Sequence, residues 1–233
     1  MPYSRHKMKK RQVEHLNDIK KKIYIFCEGK KTEPNYFEGF KKAIMCNVVY
    51  RNLVYICVEG VGAGTMKVME TAEKFVSENC LKNADIWCVY DKDNFPSQDF
   101  NQVSSRANFL NNQRRVSDNG ICYNVAWSNQ CIEYWFLLHF TFYDADNDRS
   151  RYIEVLNNKF RELGLTRYEK NNTELFEIMT ERGNPKRAID WAEKRLNACS
   201  GLTDSDSVPA TKVHLLVKSL AQYLPDELQK KYL

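Results

Sequence analysis

Ile23-Tyr24-Ile25-Phe26-Cys27-Glu28-Gly29-Lys30-Lys31-Thr32-Glu33-Pro34 holds the turn of chain on which the fold depends. Its first five residues are β-branched, aromatic or small and apolar, the composition of a strand buried on both faces. Gly29 interrupts that run. Thr32 reads as a helix N-cap, Pro34 suits the first turn, and the helix should reach about Ile44. A buried strand passing straight into a helix is the opening of a β-α-β unit.

The same alternation repeats downstream. Residues 53–58, 86–90 and 121–127 read as three further strands. Between them Met66, Met69, Ala72, Phe75 and Val76 recur at helical spacing, and Val103, Ala107 and Leu110 mark a more polar helix. Another helix begins near Cys131. Strand–helix alternation predicts a parallel sheet with right-handed crossovers. After about residue 150 the pattern turns helical, with sets such as Ile153, Leu156, Phe160 and Leu163, and no strand-like run. The expected organisation is a basic arm over 1–20, an α/β domain over 21–145 and a helical appendage over 146–233. The polar stretch 144–150 is the expected junction, and 201–208 the expected flexible loop.

The chain has 233 residues, 43% hydrophobic and 28% charged, ordinary globular usage that excludes disordered and fibrous classes. Its apolar runs are short, as at residues 134–138, and fall far short of the ~20 residues a membrane span needs. The N-terminus lacks a signal-peptide core, so the cytosol is the expected compartment. The net charge is +5, but residues 1–31 carry ten Lys and Arg against three acids. Such an arm suits a polyanion such as nucleic acid, or is a solvated terminus. Eight cysteines show no C-x-x-C spacing and the four histidines are scattered, so no zinc site is expected. Cys27, Cys57 and Cys88 lie in apolar runs and read as core residues of a reducing compartment.

In an open parallel sheet, ligands bind beyond the carboxyl ends of the strands. Those ends carry Glu28, Glu59, Asp91-Lys92-Asp93 and Ser128-Asn129, with Glu133 in the helical turn after the fourth strand. Five carboxylates at one rim repel each other unless a cation sits among them. Oxygen ligands describe a hard ion, Mg2+ or Mn2+. Each acid taken singly also reads as a solvated cap. Two phosphate motifs fail. A P-loop needs glycine where Tyr24 stands, and Gly60-x-Gly62-x-Gly64 has Thr65 in place of the last glycine of G-x-G-x-x-G.

Residues 28–37, Asp91-Lys92-Asp93-Asn94, residues 128–140 and residues 209–214 together resemble four ordered motifs of the RloB-like family, over about 20 to 220. The third motif usually carries proline where this chain has Gln130. The family core is similar to the Toprim domain, so the resemblance implies a Toprim-like parallel sheet flanked by helices. It also implies Glu28 as general acid or base and Asp91 and Asp93 as Mg2+ (or Mn2+) ligands. Read from the residues, Glu133 completes the site, and Lys30, Lys31 and Ser128 hold substrate. The implied activity is a metal-dependent nuclease in anti-phage defence, acting with nucleic acid and with any partner protein encoded nearby. Small free-standing Toprim proteins that cut RNA place RNA ahead of DNA. The length leaves no room for a topoisomerase or primase module. Two other readings stand beside it: a metal-dependent nucleotidyl- or glycosyl-transferase, and a non-catalytic nucleic-acid or phage sensor.

Overall fold

A computed structural model describes residues 20–117 and 119–233, so the basic arm lies outside the described residues except for Lys20. Four strands, β1 (Lys21–Cys27), β2 (Val54–Gly60), β3 (Ala84–Asp91) and β4 (Ile121–Asn129), are parallel, and a short β5 (Ala210–Thr211) runs antiparallel to β4. Their order is β2-β1-β3-β4-β5. The helices between them are α1 (Thr32–Met45), α2 (Thr65–Glu78) and α3 (Ser97–Ser117). After β4 come α4 (Ile132–Leu138), α5 (Arg149–Glu162), α6 (Leu175–Glu181) and α7 (Pro185–Ala198), and after β5 come α8 (Val213–Ala221) and α9 (Asp226–Tyr232). None of the described helices is long and apolar enough to cross a membrane.

Side chains alternate across a strand, and both faces of this sheet are covered. Ile23, Ile25 and Cys27 of β1, with Trp87 and Val89 of β3, face α1 and the C-terminal helices. Tyr24 and Phe26, with Ile86, Cys88 and Tyr90, face α2 and α3. The α1-side core is continuous from Phe40 through Leu156 and Leu175 to Val217. Within it Trp135 Nε1 donates to the Tyr36 hydroxyl at 3.1 Å, tying α4 to α1.

Three local expectations change. Thr32 is the first helical residue rather than the cap, and its hydroxyl donates across the molecule to the Lys170 carbonyl at 2.9 Å. The helical half does supply a strand: Ala210 and Thr211 pair with Asn129 and Ser128. Two residues leave no periodicity to read. The segment 201–208 is not loose. Asn129 Nδ2 donates to the Ser205 carbonyl at 2.9 Å, the Ser205 amide donates to Asn101 Oδ1 at 2.9 Å, and Lys212 pairs with Asp204 at 3.0 Å.

Because β5 is short, β4 keeps an open edge before Ser128, and open edges invite pairing with other chains. Asn111 of α3 covers part of it. Its Nδ2 donates to the Tyr123 carbonyl at 2.7 Å and its Oδ1 accepts the Tyr123 amide at 2.8 Å, as a neighbouring strand would. Asn111→Ala should therefore cost about 1–3 kcal/mol, measured by urea unfolding, because two half-buried backbone groups lose their partners. A change within error would show that water replaces the amide fully.

Candidate active site

The strand order reverses at β1. The chain leaves it toward β2 on one side and returns to β3 on the other. That places a crevice between the carboxyl ends of β1 and β3, where Glu28 and Asp91 stand. Glu28 continues the ladder, its amide donating to the Val89 carbonyl at 2.9 Å. Its Oε2 accepts the Asp91 amide at 3.2 Å. Asp91 is the last residue of β3 and 5% exposed, so it belongs to the strand and not to the turn beyond it.

The turn that follows curls back. The Lys92 amide donates to the Ser128 carbonyl and the Asp93 amide to the Gln130 carbonyl, both at 2.9 Å. Asp93 takes φ 39°, a left-handed conformation that short polar side chains tolerate best. The curl brings both aspartates to one guanidinium. Arg149, the first residue of α5, lies 3.4 Å from Asp91 Oδ2 and 2.5 Å from Asp93 Oδ1. Asp91 Oδ2 also accepts the Ile132 amide at the start of α4, at 3.2 Å.

Two further acids close the cavity. Glu33, in the first turn of α1, is 6% exposed, and Glu133, in the first turn of α4, is 1% exposed. Glu133 Oε1 accepts the Tyr168 hydroxyl at 3.0 Å and lies 3.8 Å from Lys170 Nζ, while its Oε2 is buried without a hydrogen-bond partner among the described residues. The cavity holds about 500 Å³ and is walled by Glu28, Glu33, Asp91, Asp93, Glu133 and the cations Lys30, Lys31, Arg149 and Lys170.

The glycine run after β2 forms another wall. A Cβ on Gly60 would stand 2.8 Å from the Gly29 carbonyl oxygen, and one on Gly62, at φ 68°, would strike the Lys30 side chain. The bare backbone lets the Glu28–Lys31 loop lie against it.

The electrostatics show what the acids need. Burial, with the nearby charges of Asp93 and Glu33, pushes the Glu28 carboxyl up to about 7, against the pull of the Asp91 amide and of Arg149. Burial first, then Glu33, Glu133 and Asp93, pushes Asp91 well above the usual carboxylate range, against the pull of Arg149. Burial raises Glu33 and Asp93 as well. Each of these groups binds its proton more tightly than an exposed carboxylate, chiefly because burial disfavours the charged form.

The sequence-derived candidates thus separate. Glu28, Asp91, Asp93, Glu133, Lys30 and Lys31 share one cavity. Glu59 does not line it. Ser128, expected at the substrate, is fully buried, and its hydroxyl is paired with that of Thr211 at 3.0 Å. The β5 pairing claims it, so it does not face a ligand. Glu33, Arg149, Lys170 and Tyr168 were missed. Glu33 sits inside the quoted motif, where an acid reads as a helix-start residue favoured by the dipole.

Among the described residues no three Asp, Glu, His or Cys side chains are gathered into a ready metal shell. The donor chemistry nevertheless suits a hard divalent cation. All the acids supply oxygen, burial and neighbouring charge raise the proton affinity of Glu28 and Asp91, and Glu133 Oε2 is a buried acceptor without a hydrogen-bond partner among the described residues. Arg149 already supplies one positive charge between the two aspartates.

Fold and cavity together define an open α/β protein with buried carboxylates clustered at the switch point of its sheet. More specifically, the chain belongs to the RloB-like protein family, which it matches over residues 23–220. That span contains every residue of the cavity wall. Searches of curated proteins and of solved structures returned no match.

Proposed function

We propose that this RloB-like protein is a metal-dependent nuclease, cutting nucleic-acid phosphodiesters, RNA ahead of DNA. The anti-phage setting follows from the family resemblance alone. The observation that carries the reading is the meeting of Glu28, Asp91 and Asp93 in one cavity at the switch point, with proton affinities raised by burial and mutual repulsion.

Glu28, Asp91 and Asp93 would hold Mg2+ or Mn2+, with Glu133 near by. A cation bound there supplies charge to the developing phosphorane-like oxygens and lowers the pKa of an attacking water. The chain's own groups do the rest. Glu28, whose metal-free carboxyl titrates near 7, is placed to take or return a proton. Lys30, Lys31 and Lys170 ring the cavity mouth and would orient the anionic substrate. Arg149 holds Asp91 and Asp93 on one side of the curl.

The test is incubation of the full chain with plasmid, total tRNA and phage RNA, in Mg2+, Mn2+ or EDTA. Cleavage in either metal and none in EDTA is expected. Binding without cleavage in any metal would favour the second reading, a nucleic-acid sensor. One observation favours that alternative: Arg149 already places a positive charge between both aspartates within the protein.

A further inference from the structure

A second groove, of about 570 Å³, runs along the exposed side of α5. Ser150, Asn157, Asn158 and Arg161 of that helix line it, with Arg167 from the segment that follows. Arg161 and Arg167 are exposed, and neither makes an ion pair or side-chain hydrogen bond among the described residues. The one acid in the wall, Glu154, is engaged by Arg151 at 2.8 Å. The groove therefore presents two unpaired guanidiniums beside the amides of Asn157 and Asn158 and the apolar Ile153 and Leu165, while the Ser150 hydroxyl is held by Asp148.

Its position relative to the carboxylate cavity gives it a use. The Tyr168 amide donates to Asn157 Oδ1 at 2.9 Å, which straps the segment after α5 back onto the helix. That strap points one cation each way: Arg167 lines the groove, and Lys170 lines the cavity, 3.8 Å from Glu133. The first turn of α5 divides in the same manner. Arg149 pairs with Asp91 and Asp93, and the next residue, Ser150, lines the groove. The two concavities thus flank the first turn of α5 and the segment that follows the helix.

We infer that this groove binds the sugar–phosphate backbone of the nucleic acid whose phosphodiester enters the carboxylate cavity. The inference rests on the nuclease reading for its destination and on charge complementarity for its occupant. A guanidinium grips phosphate with paired donors, and free guanidiniums such as that of Arg161, more than three helical turns or about 18 Å along α5 from Arg149, position a backbone without reading its sequence. The groove adds contacts independent of the N-terminal arm.

The test compares the full-length wild type with R161E/R167E and R161K/R167K. Binding of a fluorescein-labelled single-stranded RNA and of a duplex DNA is read by anisotropy in EDTA, from low to moderate salt. Both arginines are exposed and unpartnered, so folding should be unaffected. The double reversal should weaken binding about tenfold or more and flatten the salt slope by about 1.4–1.8, two contacts at roughly 0.7 each for a single strand or 0.9 for a duplex. The lysine pair should keep the slope. Unchanged affinity and slope in R161E/R167E overturns the inference, and so does a wild type that binds neither probe. The slope loss with no cleavage in any metal supports the groove and ends the nuclease reading. Metal-dependent cleavage with no slope loss ends the groove alone.

Discussion

Asp91→Asn and Asp93→Asn should each lower metal-dependent cleavage by about a thousandfold or more while the chain stays folded. The size follows from what a carboxylate-held cation contributes to phosphoryl transfer: removing one preorganised electrostatic contact costs about 10²–10³ in rate, and weakening the ion's hold adds to that. Asparagine keeps the shape and the acceptor oxygen that receives the Ile132 amide at 3.2 Å. It removes the charge and turns the other carboxylate oxygen into an NH2 donor. That charge is the disfavoured state in the metal-free protein, because burial and three neighbouring acids hold Asp91 well above the usual range. A neutral side chain at this position should therefore leave the melting temperature in EDTA unchanged or raised. Titration calorimetry with Mg2+ supplies the independent readout: affinity should fall with rate in both variants. Equal cleavage by wild type and both variants, after matched purification, would assign the activity to a contaminant or to another site.

The first four strands were legible because each is buried on both faces, and an unbroken apolar run such as Ile23 to Cys27 has few other homes. The acids at their ends were legible for the same reason, since a carboxylate closing an apolar run must lie where the sheet stops. What escaped arrives from a distance. Arg149 and Lys170 reach the cavity from the helical half, 58 residues beyond Asp91 in the case of Arg149, and no local pattern links them. Ser128 was misplaced because a two-residue strand, Ala210–Thr211, has no signature, yet its pairing buries that hydroxyl. Glu33 was passed over because a helix-start acid is ordinarily solvated, whereas this one is buried, its carboxylate against the backbone of Gly29 and near Lys170. Burial of a polar group depends on what packs over it, and only the tertiary structure contains that.

Metal-free protein should lose stability as pH rises from about 4.5 to 7, the reverse of what paired surface carboxylates produce. The direction follows from Glu28, whose carboxyl goes from 4.5 to about 7 on folding. Between those values the folded chain keeps a proton that the unfolded chain has released, so each step up in pH favours the unfolded state. Below 4.5 both states are protonated and the penalty vanishes; above about 7 it is complete. At 1.36 kcal/mol per unit it amounts to about 3–4 kcal/mol at most for this group, and Asp91 and Glu33 are shifted in the same direction. Urea unfolding in EDTA at intervals from pH 5 to pH 8 should show the decline. Glu28→Gln should flatten it and stabilise the protein at pH 8, because the neutral amide never has to bear the buried charge. Adding Mg2+ to the wild type at pH 8 should recover stability, since a cation that binds only the folded, deprotonated cluster stabilises it by mass action. Wild type and Glu28→Gln with the same pH slope would mean that Glu28 is ionised without cost in the folded chain. The reason for placing a cation beside it would then fall as well.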